Sequence, residues 1–293
     1  MTNFFLAYIP LAELIILSSG LAYSQYIVLR AGVFSLATAG FAAIGAYAAA
    51  NVVQTLGLSP VLGGIFGTAM GALAGLMLSL PLSRLRGAFQ AIATVAFIEI
   101  MVSLILYAEP ITGGALGMNG IPKSIALPGL LVFLVLVYGM IQVVVSSGVG
   151  RAFDAIRQDE TVAVSLGISV QRYQCLAFVL SGGIAGLTGA LIAFNTYSLS
   201  PEQFGFPMLV AALSGVILGG RISVAGPLVG VMVLSILPEL ARPLADQRLV
   251  MQGVMIVLVI IFMPLGIVDT ARTYWRSRQA SDAKAILERR KIA

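Results

Sequence analysis

Five charged residues crowd one short run, GRAFDAIRQDETVAVSLG at positions 150–167: Arg151, Asp154, Arg157, Asp159 and Glu160. Their mixed signs argue against simple adhesion to anionic lipid, which attracts Lys and Arg but repels Asp and Glu. Recognition of a cytoplasmic partner protein suits them better, the rival being a helix that lies on the headgroups. At about 100° per residue, Arg151, Asp154, Arg157, Gln158 and Thr161 share one side, with Ala152, Phe153 and Ile156 opposite. The spacing predicts one short amphipathic helix, stopped at Gly167.

The other candidates are single polar groups inside apolar runs. Glu99 lies in ATVAFIEIMVSLIL and Glu13 in YIPLAELIILS. An ionised carboxylate within a membrane costs at least ~2.5 kcal/mol unless it is paired, protonated or wetted. Such a group is expected to pair inside a helix bundle or to line a pathway, with Glu13 nearer the outer interface. Gln90, Thr94, Glu99 and the loop from Thr112 to Asn119 are the candidate substrate-pathway residues. Covalent chemistry has little to work with. Histidine is absent and Cys175 is the single cysteine, which excludes His-based triads, His-ligated metals and an internal disulfide. Ser181 and Ser214 lack the usual base partners of a membrane-embedded hydrolase. No G-x-x-x-x-G-K-S/T run offers ATP a P-loop.

The elements that must position these groups follow from composition. Of 293 residues, 59% are hydrophobic and 10% charged, and the mean hydropathy is +1.02. That charge supply is far below the roughly 25% of soluble domains. Lipid must be the main solvent, so the expected fold is all-α and polytopic, with about 8–10 spans. Candidate spans are roughly 4–29, 33–55, 59–81, 87–108, 128–147, 173–195, 207–219, 224–241 and 250–269. The first is too long for a signal-peptide core and is read as retained. The seventh is too short to cross straight and is expected to be broken or re-entrant.

Residues 1–270 then form one transmembrane domain with a cytoplasmic loop at 148–172, and 271–293 form a basic tail beside lipid headgroups. With that tail inside, all 17 Lys and Arg except Lys123, Arg242 and Arg248 fall inside too. The basic character thus reads as a membrane orientation signal, not a nucleic-acid footprint. Glycine adds a second pattern. Gly63, Gly67, Gly71 and Gly75 recur every four residues, and Gly182 and Gly186 repeat the spacing. Such small-residue ridges let helix backbones approach closely. Packing alone explains them, although closely packed and broken helices also suit transporters.

Several segments resemble the permease subunits of branched-chain amino-acid ABC importers of the LivM type. They are RLRGAFQAIATVAFIEI, TGGALGMNGIP, the charged island itself, AFVLSGGIAGLTGALIAF, SPEQF, AGP, LPEL and MPLGI, in that order. Ala37 and Thr38 stand where the family usually has Gly-His, Arg30 where it has an aromatic, and Gly219 to Ser223 depart from Gly-Gly-x-Gly-Ser. The resemblance implies a permease without its own ATPase site, in a bacterial inner membrane, importing a branched-chain amino acid. Related permeases move urea, short amides or small carboxylic and aromatic acids. It implies a second related permease, two ATPase subunits that bind ATP and Mg, and an extracytoplasmic solute-binding protein. The island becomes the coupling helix, with Arg151, Arg157, Asp159, Glu160, Ala163 and Gly167 as its working positions. A reading from another class, an ATP-independent channel or carrier with Glu99 as its ion site, stands beside it.

Overall fold

In the computed structural model, residues 2–240, 253, 257 and 266–275 are described. Among the described residues, seven helices are long and apolar enough to cross a membrane. In chain order the helices begin with α1 (Thr2–Arg30), α2 (Thr38–Leu56), α3 (Pro60–Leu82) and α4 (Ala88–Tyr107). A single turn, α5 (Glu109–Thr112), and a two-residue strand, β1 (Met118–Asn119), lead to α6 (Leu127–Ser146). Two short helices follow, α7 (Gly148–Gln158) and α8 (Glu160–Ser165), then the long α9 (Val170–Thr196). Strand β2 (Ser198–Leu199) and a 3-10 turn (Pro201–Phe204) precede α10 (Phe206–Gly219) and α11 (Gly226–Leu240). Residues 267–275 are again helical. The expected ninth span lies mostly outside the described residues, as does the tail beyond 275.

Proline starts α3, α6 and α10 within their first two positions, where the missing N–H leaves nothing unsatisfied. The centre is built from α1, α2, α3 and α9. The glycine ridge of α3 makes this possible. A Cβ on Gly71 would strike the Gly182 carbonyl, and one on Gly182 would strike that of Gly71. A Cβ on Gly75 would meet the Phe178 carbonyl, and one on Gly67 the Gly45 carbonyl at 2.7 Å. Gly186 likewise sits against Gly67, and Gly63 against Val53 and Phe194. The six glycines lie in the contacts among α2, α3 and α9, five of them directly against a carbonyl and Gly63 against side chains. Helix α3 presents only its glycine face to this centre: 28% of its apolar stretch is buried, against 22% for α4 and for α6 and 67% for α2 and α9.

The expected broken span takes a definite form. At about 1.5 Å per residue, α10 is ~21 Å long, short of a ~30 Å hydrocarbon core. The Pro201–Phe204 turn makes up the difference by dipping inward: Pro201 and Phe204 are buried, and the Phe204 ring meets Tyr47, halfway along α2, at 6.1 Å. Helices α10 and α11 then form a tight antiparallel hairpin, with Gly215 and Gly219 against Gly230 and Gly226. Helix directions gather Arg30, Arg84, Arg86, Arg151, Arg157, Arg172 and Arg221 at one end of the bundle, the basic end. At the far end, β1 pairs antiparallel with β2, Met118 opposite Leu199 and Asn119 opposite Ser198. This ties the α4–α6 connection to the α9–α10 connection.

Candidate functional site

The charged island forms a promontory at the basic end, in two helices where the sequence predicted one. Ser147 caps α7 by accepting from Val149 N–H at 3.2 Å. Ala152, Phe153 and Ile156 are buried beneath it, on the face the spacing assigned to them. The helix then breaks at Asp159, whose backbone is extended. The Asp159 carboxylate accepts from Thr161 N–H at 2.8 Å and Val162 N–H at 3.1 Å, and so caps α8. An acceptor side chain that close to its own backbone competes with helix continuation. Gly167, at φ 79°, ends α8. Ile168 N–H reaches the Ala163 carbonyl and Gly167 N–H the Val164 carbonyl, which is a Schellman cap.

Several coupling candidates are therefore engaged within the chain. Glu160 pairs with Arg86 at 3.4 Å. Ala163 is buried against Ile156 and Val170, facing the bundle. Arg157 is half-buried over Gly32 and lies 3.5 Å from Asp154. Only Arg151 and Asp159 of the charged candidates are openly exposed. The outer surface of α8 carries apolar side chains instead, beside Thr161 and Ser165: Val162, Val164 and Leu166 are 53%, 58% and 70% exposed. Reading the run by its charges missed these three. The available signal was a set of aliphatic residues in the one polar loop, with no span to join.

A partly buried ion-pair hub wires the promontory to the bundle. Arg30, at the basic end of α1, donates to the Asp154 carboxylate at 2.7 Å. It also donates to the Ile222 carbonyl at 2.6 Å and to the Tyr26 hydroxyl at 2.7 Å. Tyr26 donates to the same carbonyl at 3.1 Å. From the opposite side, the Asp269 carboxylate accepts from Ile222 N–H at 2.8 Å and Ser223 N–H at 2.9 Å. The hub thus clamps α7, α1, the α10–α11 turn and the helix at 267–275 to one another. Charge-assisted bonds of this kind are short and directional. Sequence reading used Arg30 as an orientation marker and as a departure from the family's aromatic, not as a hub, and did not single out Asp269.

The pathway candidates separate. Gln90 and Thr94 are buried and hydrogen-bonded to backbone. Gln90 donates to the Leu82 carbonyl at 3.3 Å, and Thr94 accepts from Leu36 N–H at 2.9 Å. Thr112 donates to the Ile105 and Ala108 carbonyls at 2.6 and 2.8 Å and shapes the far-end loop. Asn119 is exposed there, its carbonyl accepting from Gln54 at 2.9 Å. Glu99 points the other way. It is nine residues from Gln90, half a revolution of α4, and is exposed. The expected pairing of Glu99 inside the bundle is not what its position gives. Among the described residues it has no hydrogen-bond or ion-pair partner. Glu13 is buried and lines an open cleft of about 620 Å³ at the far end, beside Lys123 and Leu127. No group of three or more potential metal ligands occurs among the described residues.

Residues 10–264 match the family model described as the branched-chain amino acid transport system / permease component. The high-affinity branched-chain amino acid transport system permease protein LivM of Escherichia coli K12 is 33% identical over 88% of this chain and 68% of its own length. A LivH permease protein of the same-named system in that organism is 30% identical over 41% of this chain and 40% of its own. A probable LivH of Methanocaldococcus jannaschii is 25% identical over 77% and 80%. No solved structure gives a significant match.

Proposed function

The chain belongs to the branched-chain amino acid transport permease family, and from that premise we propose that it is the membrane subunit of an ATP-driven importer in a bacterial inner membrane. Its cargo is a branched-chain amino acid. The chain contributes the path; ATP and Mg are held by two partner ATPase subunits. A second related permease completes the membrane unit, and a solute-binding protein delivers cargo at the far end.

The observation that carries this reading is the promontory and its wiring. An ATPase can do work on a membrane path only through a stiff contact that reaches the spans. Helices α7 and α8 are stiffened by a cap at each junction and a buried underside. The Asp154–Arg30–Ile222 chain leads from α7 into α1 and the α10–α11 hairpin. The exposed Val162, Val164 and Leu166 give a nucleotide-driven partner an apolar grip with Arg151 and Asp159 at its rim. Apolar anchors inside a polar rim are the usual anatomy of a protein interface.

The test is substitution at that tip. Val162 and Leu166 are each more than half exposed, so Val162→Asp with Leu166→Asp removes little packing inside the chain. In the assembled transporter it is expected to lower ATP-coupled uptake at least tenfold, with loss of the ATPases on purification. Uptake and co-purification equal to the unsubstituted protein would remove the basis for this reading.

A further inference from the structure

Helix α4 shows one face to its surroundings: Ile92, Ala96, Glu99, Ser103 and Tyr107, spaced three or four apart and all exposed. Its other face packs on α2 and α10 through Ile98, Val95 and Leu209. The exposed ridge is unlike the other open helix faces. Helices α3 and α6 expose long stretches and contain no charged residue. Their outward residues are mainly aliphatic, Val61, Ile65, Met77, Val132 and Val135 among them, with Tyr138 and Gln142 among the polar groups exposed on α6. On α4 a small residue, a carboxylate, a hydroxyl and a phenol succeed one another. Glu99, Ser103 and Tyr107, with Ile100 and Leu104, line a groove of about 290 Å³. Glu99 stands about 12 Å along the helix from the Tyr107 end, well inside the hydrocarbon depth.

An ionised carboxylate facing lipid is expensive, and a side chain that short cannot snorkel across that depth. Among the described residues nothing in this chain relieves it. Protonation removes the charge but still leaves the carboxyl's hydrogen-bonding groups facing lipid; a surface from outside the chain with its own polar donors meets them and excludes lipid. Small and polar residues along a ridge are also what close helix–helix packing in membranes uses. We propose that the Ala96–Glu99–Ser103–Tyr107 face of α4 is the seam with a second permease chain, which presents a hydrogen-bond donor or cation to Glu99. A single organism carries both a LivM and a LivH relative named for one transport system, so a related chain is a fitting occupant. This inference rests on the importer reading above.

The experiment uses the assembled, purified transporter. A benzoylphenylalanine photo-crosslinker replaces Ser103, and in a second preparation Val135 on the lipid-facing side of α6. Irradiation is expected to join Ser103 to the second permease and Val135 to lipid alone. Glu99→Leu is read in parallel: at a seam it is expected to reduce recovery of the second permease at least fivefold, with Glu99→Gln in between. If the second permease is present but Ser103 captures only lipid, or Glu99→Leu leaves recovery unchanged, the seam is elsewhere and the importer reading stands. If the unsubstituted chain brings down no second permease, the importer reading and this inference fall together.

Discussion

At the scale of the residue, Arg30 ties α1 to α7 and to the α10–α11 turn. It is 6% exposed, yet it serves three acceptors, two of them on elements far away in sequence. A guanidinium does this because its donors fan out in one plane; an ammonium on a flexible stem holds fewer at once. Arg30→Met leaves Asp154 and the Ile222 carbonyl without their strongest partner. Removing one member of a buried pair costs about 3 kcal/mol. The lower end of that range applies, because the Asp154 side chain is 32% exposed and water takes part of its charge. Unfolding in detergent should register that loss, with Arg30→Lys in between; a variant as stable as the parent would show the hub to be ornamental. The sequence placed Arg30 on the correct end but not beside Asp154. Positive-inside patterning is a statement about ends, and no periodicity links residues 124 positions apart. Glu99 failed in the opposite direction. The cost of a buried charge suggested a partner, while the helix phase that sends it away from Gln90 was already countable.

At the scale of the element, the glycine ridges were the most legible feature, since the small-xxx-small spacing states both the residue type and the face. What spacing could not state was the partner, which proved to be two helices, α2 and α9. The contact also sets up a sharp contrast between neighbours. Gly182→Ala would drive a methyl group into the Gly71 carbonyl, whereas a Cβ on Gly183 meets nothing nearer than the Ala72 methyl at 3.7 Å. Overpacking of this kind costs about 1–3 kcal/mol. Gly183→Ala should stay within about 1 kcal/mol of the parent, since the helix itself favours Ala. Folded yield and thermal unfolding compare the two directly, and equal behaviour would mean that α3 and α9 are not in backbone contact. Spans α1 to α4, α6 and α9 were legible from apolar run length, with edges moved by a few residues. Two elements were not. The break at Asp159 depends on a side chain choosing its own backbone over the helix, which amphipathic phase does not register. The β1–β2 ladder is two residues long, too short for an alternating pattern to exist.

At the scale of the whole molecule, the arrangement works only if its two ends face different compartments. Arginines collect at the end that bears the promontory, while Lys123 stands at the other with the β1–β2 ladder. On the positive-inside rule, α7 and α8 are expected on the cytoplasmic side, where nucleotide is. Each end offers a reporter: Leu116 is 86% exposed beside the ladder, and Leu166 is 70% exposed at the tip. In a Cys175→Ser background, each is replaced in turn by cysteine and met with a membrane-impermeant maleimide. Leu116→Cys should react in intact cells; Leu166→Cys should react only after the membrane is opened. The second site carries a further condition. Once the ATPase subunits are present, Leu166→Cys should be shielded even in opened membranes, because the apolar tip is then occupied, while Leu116→Cys keeps its full reactivity. Labelling of Leu166→Cys from outside would place the stiff, wired end of the chain where no ATPase can push on it. Reactivity of that site unchanged by the ATPases would leave Val162, Val164 and Leu166 without an occupant, and the hub behind them with no load to transmit.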